Sequence, residues 1–209
     1  MKVWLVDGGT VEHGGTERAL LEMARTLEAE GVETERYWVG AKPIRGCMQC
    51  GRCTRLQGCI HDPAVRDFVP HVAEADGFVF GAPARLGRLD SQLIEFLDQL
   101  IFWECRENAP SLLPYKPVVA VANVRGPGGC SFKTVERFFA ARKMAVVNAA
   151  HRPIVRGGSA QEVERDAAGL AALRENAHAM ATDLRAIESA RRARIPAPKP
   201  LTFDPMEPL

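Results

Sequence analysis

Short apolar runs alternate along the chain with longer segments in which apolar residues recur at helical spacing. Strands are predicted at residues 2–7, 34–39, 77–83, 117–123 and 144–148, all but the second nearly continuously apolar, as in a sheet buried on both faces. The amphipathic segments between them are predicted to be helices. This alternation indicates an α/β fold with a parallel sheet covered on both sides. Right-handed crossovers between five strands favour the flavodoxin-like, doubly wound order 2-1-3-4-5.

Helix boundaries follow from residues with special backbone roles. Thr16 is predicted to cap the first helix, and Gly31 is predicted to end it. Pro70 argues against an unbroken helix over residues 63–75. One long alanine-rich helix is expected across much of residues 160–192.

The C-terminal residues differ in composition from the rest of the chain. Five of the fourteen prolines fall within residues 195–209, so residues 193–209 are predicted to form a proline-rich tail outside the domain. Two interpretations stay open for this tail, packing against a partner subunit or simple disorder. The domain itself is predicted to span residues 1–192, with a cysteine-rich insertion at residues 46–62 after the second strand.

Composition and charge narrow the classes of function. The 209 residues suit one domain with an appendage, and contents of 46% hydrophobic and 25% charged residues are typical of globular proteins. A formal net charge of +1 gives no basis for general binding to nucleic acid or to a membrane surface. No apolar run approaches the ~20 residues of a bilayer span. Because the first residues lack the pattern of a secretory signal, a cytoplasmic location is expected.

Three glycine-rich loops follow predicted strands. They are DGGTVEHGGT at residues 7–16, GAPARLGRLD at residues 81–90 and NVRGPGGCS at residues 123–131. The carboxyl ends of parallel strands meet at one edge of the sheet, where such folds bind ligands, and glycine lets the backbone approach a ligand closely. The first loop has Gly15 where a P-loop has its lysine, and it lacks the G-x-G-x-x-G pattern. The loops therefore indicate a flat or phosphorylated ligand held in neither of those two ways.

Four of the six cysteines lie within thirteen residues, in CMQCGRCTRLQGC. The candidate metal ligands are Cys47, Cys50, Cys53 and Cys59. Their spacing, C-x2-C-x2-C-x5-C, favours a [4Fe–4S] cluster, because successive short steps place thiolates around one compact body. Zinc sites usually use two knuckles that are further apart, but zinc and the absence of any metal stay open as alternatives. A reducing compartment argues against disulfides.

The chain resembles the flavodoxin-like NAD(P)H-dependent FMN reductases, and more narrowly the iron–sulfur flavoproteins. The resemblance covers residues 1 to about 184 and rests on the opening strand–loop–helix with Gly14 and Thr16, the cysteine motif, and residues 75–99. The glycine-rich loop before SFKTVERFF is a further match.

The resemblance implies an oxidoreductase that transfers electrons between a [4Fe–4S] cluster and FMN. The phosphate is expected in the first loop and the isoalloxazine ring near the second and third, with NAD(P)H as a possible donor. It also implies a homodimer or homotetramer in which one subunit's cluster faces another subunit's flavin. The redox partner is expected to be a protein such as ferredoxin or a small-molecule acceptor. The expected flavin-binding residues are Gly9, Thr10, Gly14, Gly15, Thr16, Pro83, Ala84, Arg85, Leu86, Gly87, Asn123, Arg125, Gly126 and Gly128.

The flavin loops depart from the family pattern. Gly9, Val11 and Gly15 replace a serine, an arginine and an asparagine of the first loop, and Glu12 adds a negative charge. In the second loop, arginine and leucine replace aromatic residues. The altered first loop motivates one alternative, a non-enzymatic iron–sulfur carrier or sensor that has lost FMN. A second alternative is a cluster-free NAD(P)H-dependent FMN or quinone reductase whose cysteines are empty or hold zinc.

Overall fold

Within the part of the chain that the structure describes, seven strands form one central sheet. The computed structural model describes residues 1–55, 58–105 and 111–196. The strands are β1 (Lys2–Asp7), β2 (Glu33–Trp38), β3 (Gly77–Arg85), β4 (Arg88–Leu89), β5 (Pro117–Val124), β6 (Ala145–Val146) and β7 (Ile154–Arg156).

The sheet has the predicted flavodoxin-like order. Its main path runs β2-β1-β3-β5-β6, and every neighbouring pair along this path is parallel. The predicted five-strand core is therefore confirmed. Two further strands join it: β4 turns back antiparallel against β3, and β7 pairs with β5.

The predicted fifth strand is interrupted. Only Ala145–Val146 pair with the start of β5, and the chain then leaves the sheet edge. It returns at Ile154–Arg156, which pair with Ala122, Asn123 and Val124 near the end of β5. This return brings the residues after β7 to the same edge of the sheet as the glycine-rich loops.

Helices cover both faces of the sheet. They are α1 (Gly15–Ala29), α2 (Pro63–Glu74), α3 (Ser91–Glu104), α4 (Lys133–Ala141), α5 (Ala160–Glu164) and α6 (Ala167–Arg192). One apolar core contains side chains of α2, α3 and α4 around Phe68, Phe80 and Phe96. The other contains side chains of α1 and α6 around Leu20, Met23 and Leu173. This two-sided burial explains the nearly continuous apolar character of β1, β3 and β5.

Several predicted helix boundaries differ from the observed ones. Gly14 is the N-cap of α1, so Thr16 lies inside the first turn and does not cap it. The expected helix across residues 160–192 is divided, because the carboxylate of Asp166 accepts a hydrogen bond from Gly169 N–H and starts α6 as a separate helix. Helix α2 continues through Pro70, which is exposed, so water can solvate the carbonyl group that loses its partner there.

The C-terminal residues and the lengths of the helices bear on two further expectations. Residues 197–209, most of the predicted proline-rich tail, lie outside the described residues. Among the helices of the described ranges, none is long and apolar enough to cross a membrane.

Candidate functional site

A cleft of about 200 Å³ opens at the carboxyl edge of the sheet, and we call it the rim cleft. All three glycine-rich loops contribute to it, together with the segment after β7. The lining residues are Gly9, Thr10, Val11, Gly14, Gly15, Thr16, Pro83, Ala84, Arg85, Asn123, Arg125 and Gly158. The structure thus brings together ten of the fourteen predicted flavin-binding residues around one cleft.

The first loop is held closely against its neighbours. Gly8 N–H donates to the carbonyl oxygen of Gly81 over 2.8 Å, and the indole N–H of Trp38 donates to the carbonyl oxygen of Gly9 over 2.7 Å. A Cβ atom at Gly15 would collide with Nδ2 of Asn123 on β5. Glycine at this position therefore allows the start of α1 to approach β5. The N–H groups of the first turn of α1 lie at the cleft, as in sites that bind anions at helix N-termini.

Charged side chains lie directly beneath this loop. The carboxylate of Asp7 is fully buried, and its Oδ1 accepts a hydrogen bond from Gly9 N–H over 2.8 Å. Burial raises the pKa of Asp7 to about 6, although the Gly9 bond and Arg36 act in the opposite direction. The guanidinium of Arg36 lies 3.7 Å from Oδ2 of Asp7 and 2.5 Å from Oε1 of Glu17. His13 Nδ1 lies 2.9 Å from the other oxygen of Glu17.

The second loop is a tight hairpin between β3 and β4. Leu86 and Gly87 are its two turn residues, with φ of 49° and 73°, as in a type I′ turn. The Leu86 side chain is 100% exposed, and neither turn residue lines the rim cleft. Arg85 does line it, and its guanidinium is paired with Asp90, which in turn caps α3.

The third loop contributes one buried amide and one arginine to the cleft. Asn123 is 6% exposed, and its Oδ1 has no hydrogen-bond partner among the described residues. Arg125 donates from Nη2 to the carbonyl oxygen of Gly158 over 3.3 Å. The predicted residues Gly126 and Gly128 are exposed and lie outside the cleft lining.

Two lining residues were missed by the sequence analysis. Val11 is in the first loop but was considered only as a replacement for an arginine. Gly158 follows β7, a strand that the analysis did not predict. The glycine pair at residues 157–158, directly after an apolar segment, was the available signal for it.

The four clustered cysteines line a second, smaller cavity of about 30 Å³, which we call the cysteine cavity. Its lining also includes Ile60, His61, Asp62 and Gln99. All four cysteines are free thiols, as a metal-binding role requires. The chain wraps around the cavity through left-handed residues Gln49, Gly51 and Gly58.

Four soft sulfur ligands around one cavity are the donor set of an iron–sulfur cluster. Nevertheless, within residues 1–55, 58–105 and 111–196, no three His, Cys, Asp or Glu side chains lie together as a ready metal site.

Through two buried amides, helix α3 holds the cysteine loop, residues 46–62, and the segment that leads into it. Gln92 donates from Nε2 to the carbonyl oxygens of Gly40 and Lys42 over 3.0 and 2.7 Å. Gln99 donates from Nε2 to the carbonyl oxygen of Arg45 over 2.6 Å and to Oδ2 of Asp62 over 2.8 Å. Gln99 therefore holds both ends of the cysteine loop. It lies seven residues after Gln92, about 10 Å further along the helix.

The chain was compared with known protein families. A family model described as NADPH-dependent FMN reductase matches residues 1–157. The chain belongs to this family. The predicted resemblance is confirmed, and the curated relatives of the chain are named iron–sulfur flavoproteins, which supports that branch of the family.

The similarity to individual proteins is low in sequence but extensive in fold. An iron–sulfur flavoprotein of Methanocaldococcus jannaschii is 28% identical over 99 residues, which cover 47% of this chain and 51% of that protein. The chain spans about half the length of the curated relatives it matches. Among solved structures, RosB with bound 8-demethyl-8-formylriboflavin-5'-phosphate is 16% identical with a TM-score of 0.63, covering 100% of this chain and 93% of RosB. A WrbA-like flavodoxin from Agrobacterium tumefaciens is 14% identical with a TM-score of 0.59, covering 88% and 98%. These two likenesses confirm the flavodoxin-like fold.

Proposed function

We infer that the protein is a flavin-dependent oxidoreductase that holds FMN in the rim cleft. The observation that carries this inference is the convergence of the loops after β1, β3 and β5 on one cleft that combines a helix N-terminus with a buried amide. Membership in the FMN reductase family supports it. So does RosB, which has the same fold and carries a riboflavin phosphate derivative.

The chain offers suitable partners for each part of such a ligand. Backbone N–H groups from Thr10 to Thr16 suit a phosphate. The orphaned Oδ1 of Asn123 suits a hydroxyl donor, because a buried acceptor without a partner is costly. Arg125 brings a positive charge to the cleft. When bound, FMN supplies the ability to accept a hydride and to release its electrons one at a time.

We also propose that Cys47, Cys50, Cys53 and Cys59 hold a [4Fe–4S] cluster in the cysteine cavity. Four free thiols around one cavity support this assignment, and so do the names of the curated relatives. A cluster exchanges single electrons, so its combination with a flavin suits conversion between two-electron and one-electron carriers. His61 and Asp62 would border the cluster.

The assembly is proposed from the family resemblance. We propose a homodimer or homotetramer in which one subunit's cluster faces another subunit's flavin. NAD(P)H is the proposed donor to the flavin, and the proposed partner is a ferredoxin-like protein or a small-molecule acceptor.

Anaerobic purification and reconstitution test both cofactors at once. We expect a visible spectrum with separate flavin and cluster contributions, together with four iron and four sulfide per chain, the composition of such a cluster. Replacing each of the four clustered cysteines with serine should remove the iron and leave the flavin in place. Cys105→Ser is the matched control, because Cys105 is exposed and lies outside the cysteine cavity. Full iron in a variant that lacks all four clustered cysteines would refute the cluster.

Two other functions remain as defined outcomes of that experiment. Flavin without iron would establish a cluster-free flavin or quinone reductase. Iron without flavin would establish an iron–sulfur carrier or sensor. The acidic groups beneath the first loop favour that outcome, since they oppose a bound phosphate.

A further inference from the structure

A fully buried carboxylate is part of the loop that is proposed to hold the flavin phosphate. Asp7 ends β1, and its Oδ1 accepts the N–H of Gly9, a residue that lines the rim cleft. Its Oδ2 has no hydrogen-bond partner among the described residues. Neither feature suits an anion site, because one loop N–H is already used and a negative charge lies beneath the remaining ones.

The surroundings of Asp7 do not neutralise this charge fully. From β2, Arg36 faces it at 3.7 Å, but the same guanidinium is closer to Glu17 of α1. From the first loop, His13 contacts Glu17 and not Asp7. From α3, the neighbour of this loop is the apolar residue Leu93, which packs against Gly8. Two carboxylates therefore share one guanidinium, and the excess negative charge lies at the loop.

We propose that Asp7 determines which charge state of flavin the rim cleft accepts, so that FMN binds together with a proton taken up from solvent on Oδ2 of Asp7. This inference rests on the proposed function, since the ligand is the flavin of the same cleft. Protonation removes the opposing charge and gives the orphaned oxygen a hydrogen. Above the pH at which Asp7 ionises, the cleft loses its preference for FMN over riboflavin, which has the same ring and no phosphate.

Asp7 is expected to ionise at a pH at which binding can be measured. Because burial raises the pKa of Asp7 to about 6, the free protein carries a mostly ionised Asp7 at neutral pH. A bound phosphate raises this pKa further, since a neighbouring negative charge favours the protonated acid. Proton uptake by Asp7 on binding is therefore expected above about pH 6 and is small below it. Because a phosphate monoester also titrates at about pH 6, the share of Asp7 is the difference in proton uptake between wild type and a variant that cannot ionise there.

The test compares FMN and riboflavin binding by wild type and Asp7→Asn at pH 5.5 and pH 8. Asparagine keeps the carbonyl oxygen that accepts from Gly9 and cannot ionise. At pH 8 we expect Asp7→Asn to bind FMN about tenfold more tightly than wild type, with riboflavin changed by about twofold or less. At pH 5.5 the two proteins should bind FMN about equally. Titration calorimetry in two buffers of different ionisation enthalpy should show more proton uptake for wild type than for the variant.

A matched control removes a negative charge elsewhere. Glu33→Gln changes an exposed residue at the start of β2, at the opposite end of the sheet from the cleft, and should leave both affinities unchanged. Equal FMN affinity of wild type and Asp7→Asn at pH 8 would overturn the proposal, as would an equal gain for riboflavin. If Asp7→Asn does not fold, a wild-type preference for FMN that rises with pH overturns it, and one that falls supports it. Failure of wild type to bind either flavin would instead refute the proposed function, and this inference with it.

Discussion

The rim cleft and the cysteine cavity lie on one domain but are built in different ways. The rim cleft consists mainly of backbone at the ends of β1, β3 and β5, so hydrogen bonds of the sheet fix its shape. The cysteine cavity consists of side chains on a loop that has little regular structure and is tied to α3 by Gln92 and Gln99. The first site is the larger, at about 200 Å³, and is lined mainly by the three glycine-rich loops, whereas the second, of about 30 Å³, is lined by the four cysteines together with both apolar and polar residues.

The two sites therefore differ in how far each is formed without a ligand. A cleft fixed by a sheet is preorganised, so changes there should act on ligand affinity and charge preference. We expect the loop of thiols, which has no ready metal site in the described residues, to gain its final geometry with the proposed cluster, as metal binding and folding are coupled in many small sites. Changes around the cysteine cavity should therefore act on metal occupancy and local stability, with little effect on flavin.

The largest effect on the cleft is expected from Gly15→Ala. A methyl group here would collide with the Asn123 amide and displace it from the cleft. We expect flavin affinity to fall about 10- to 100-fold, the effect of losing one or two buried polar contacts, while iron content stays unchanged. Fluorescence titration and iron analysis measure the two quantities. Gly128→Ala is the control, because a Cβ there meets nothing within 4 Å. Equal loss of iron in Gly15→Ala would contradict the independence of the two sites.

The next effect is on the free energy of unfolding and comes from Asp7, the buried carboxylate beneath the first loop. The pKa of Asp7 is about 6 in the folded protein against 3.8 for an unperturbed aspartate, so the folded state holds more protons between these pH values. Stability therefore falls as pH rises through this window. Asp7→Asn removes the penalty and should raise the free energy of unfolding at pH 7 by up to about 3 kcal/mol, with the gain vanishing towards pH 4. Urea unfolding of the flavin-free protein at both pH values measures this. A gain of the same size at pH 4 would show that charge is not the cause.

The sequence predicted the loops that form the rim cleft, but it did not predict the charged side chains beneath the first loop. Strand ends and glycine-rich loops are local features, and the parallel order of β1, β3 and β5 places them at one edge without further information. The Asp7–Arg36–Glu17 group was not predicted, because it depends on the register of β1 against β2 and on the side chains of three separate elements. The segment after β7 was missed for a similar reason, since the split of the fifth strand follows from tertiary pairing with β5.

The sequence showed the cysteines that line the cysteine cavity, but not the side chains that support it. The metal-ligand role of the cysteines stays a prediction. The cysteine spacing is visible in the chain, and all four residues line one cavity in the structure. The anchoring amides were not recognised, although Gln92 and Gln99 are seven residues apart and so lie on one face of a helix. Their partners are backbone carbonyls more than forty residues away, which no local pattern identifies.

An intermediate effect, on stability and iron content, is expected from Gln99, the side chain of α3 that holds the cysteine loop. Gln99→Leu removes hydrogen bonds to Arg45 and to the buried carboxylate of Asp62. We expect the loss of about 2 kcal/mol of stability, typical of a bond to a charged group, and a clear fall in iron per chain after reconstitution. Flavin affinity should stay unchanged. Gln161→Leu on the exposed surface of α5 is the control for the substitution itself. Normal iron content in Gln99→Leu would show that the loop needs no anchor to bind metal.

The smallest effect is expected at the tip of the second loop, where the structure separates a predicted flavin contact from the cleft. Leu86 has φ of 49°, a conformation that costs a non-glycine residue about 1 kcal/mol, and its side chain contributes no burial in return. Asparagine followed by Gly87 is the preferred pair for this turn. Leu86→Asn should therefore stabilise the protein by about 0.5–1 kcal/mol in urea unfolding and leave flavin affinity within about twofold.

The same variant tests where the cleft ends. A tenfold loss of flavin affinity in Leu86→Asn would mean that the exposed leucine covers the ligand once it is bound, and that the hairpin belongs to the binding site. Leu21→Asn is a useful comparison, since Leu21 is also an exposed leucine but lies on the outer side of α1, away from the cleft lining. Unchanged affinity in both variants would confine the flavin contacts of the second loop to Pro83, Ala84 and Arg85, the three residues that β3 itself holds at the edge of the sheet.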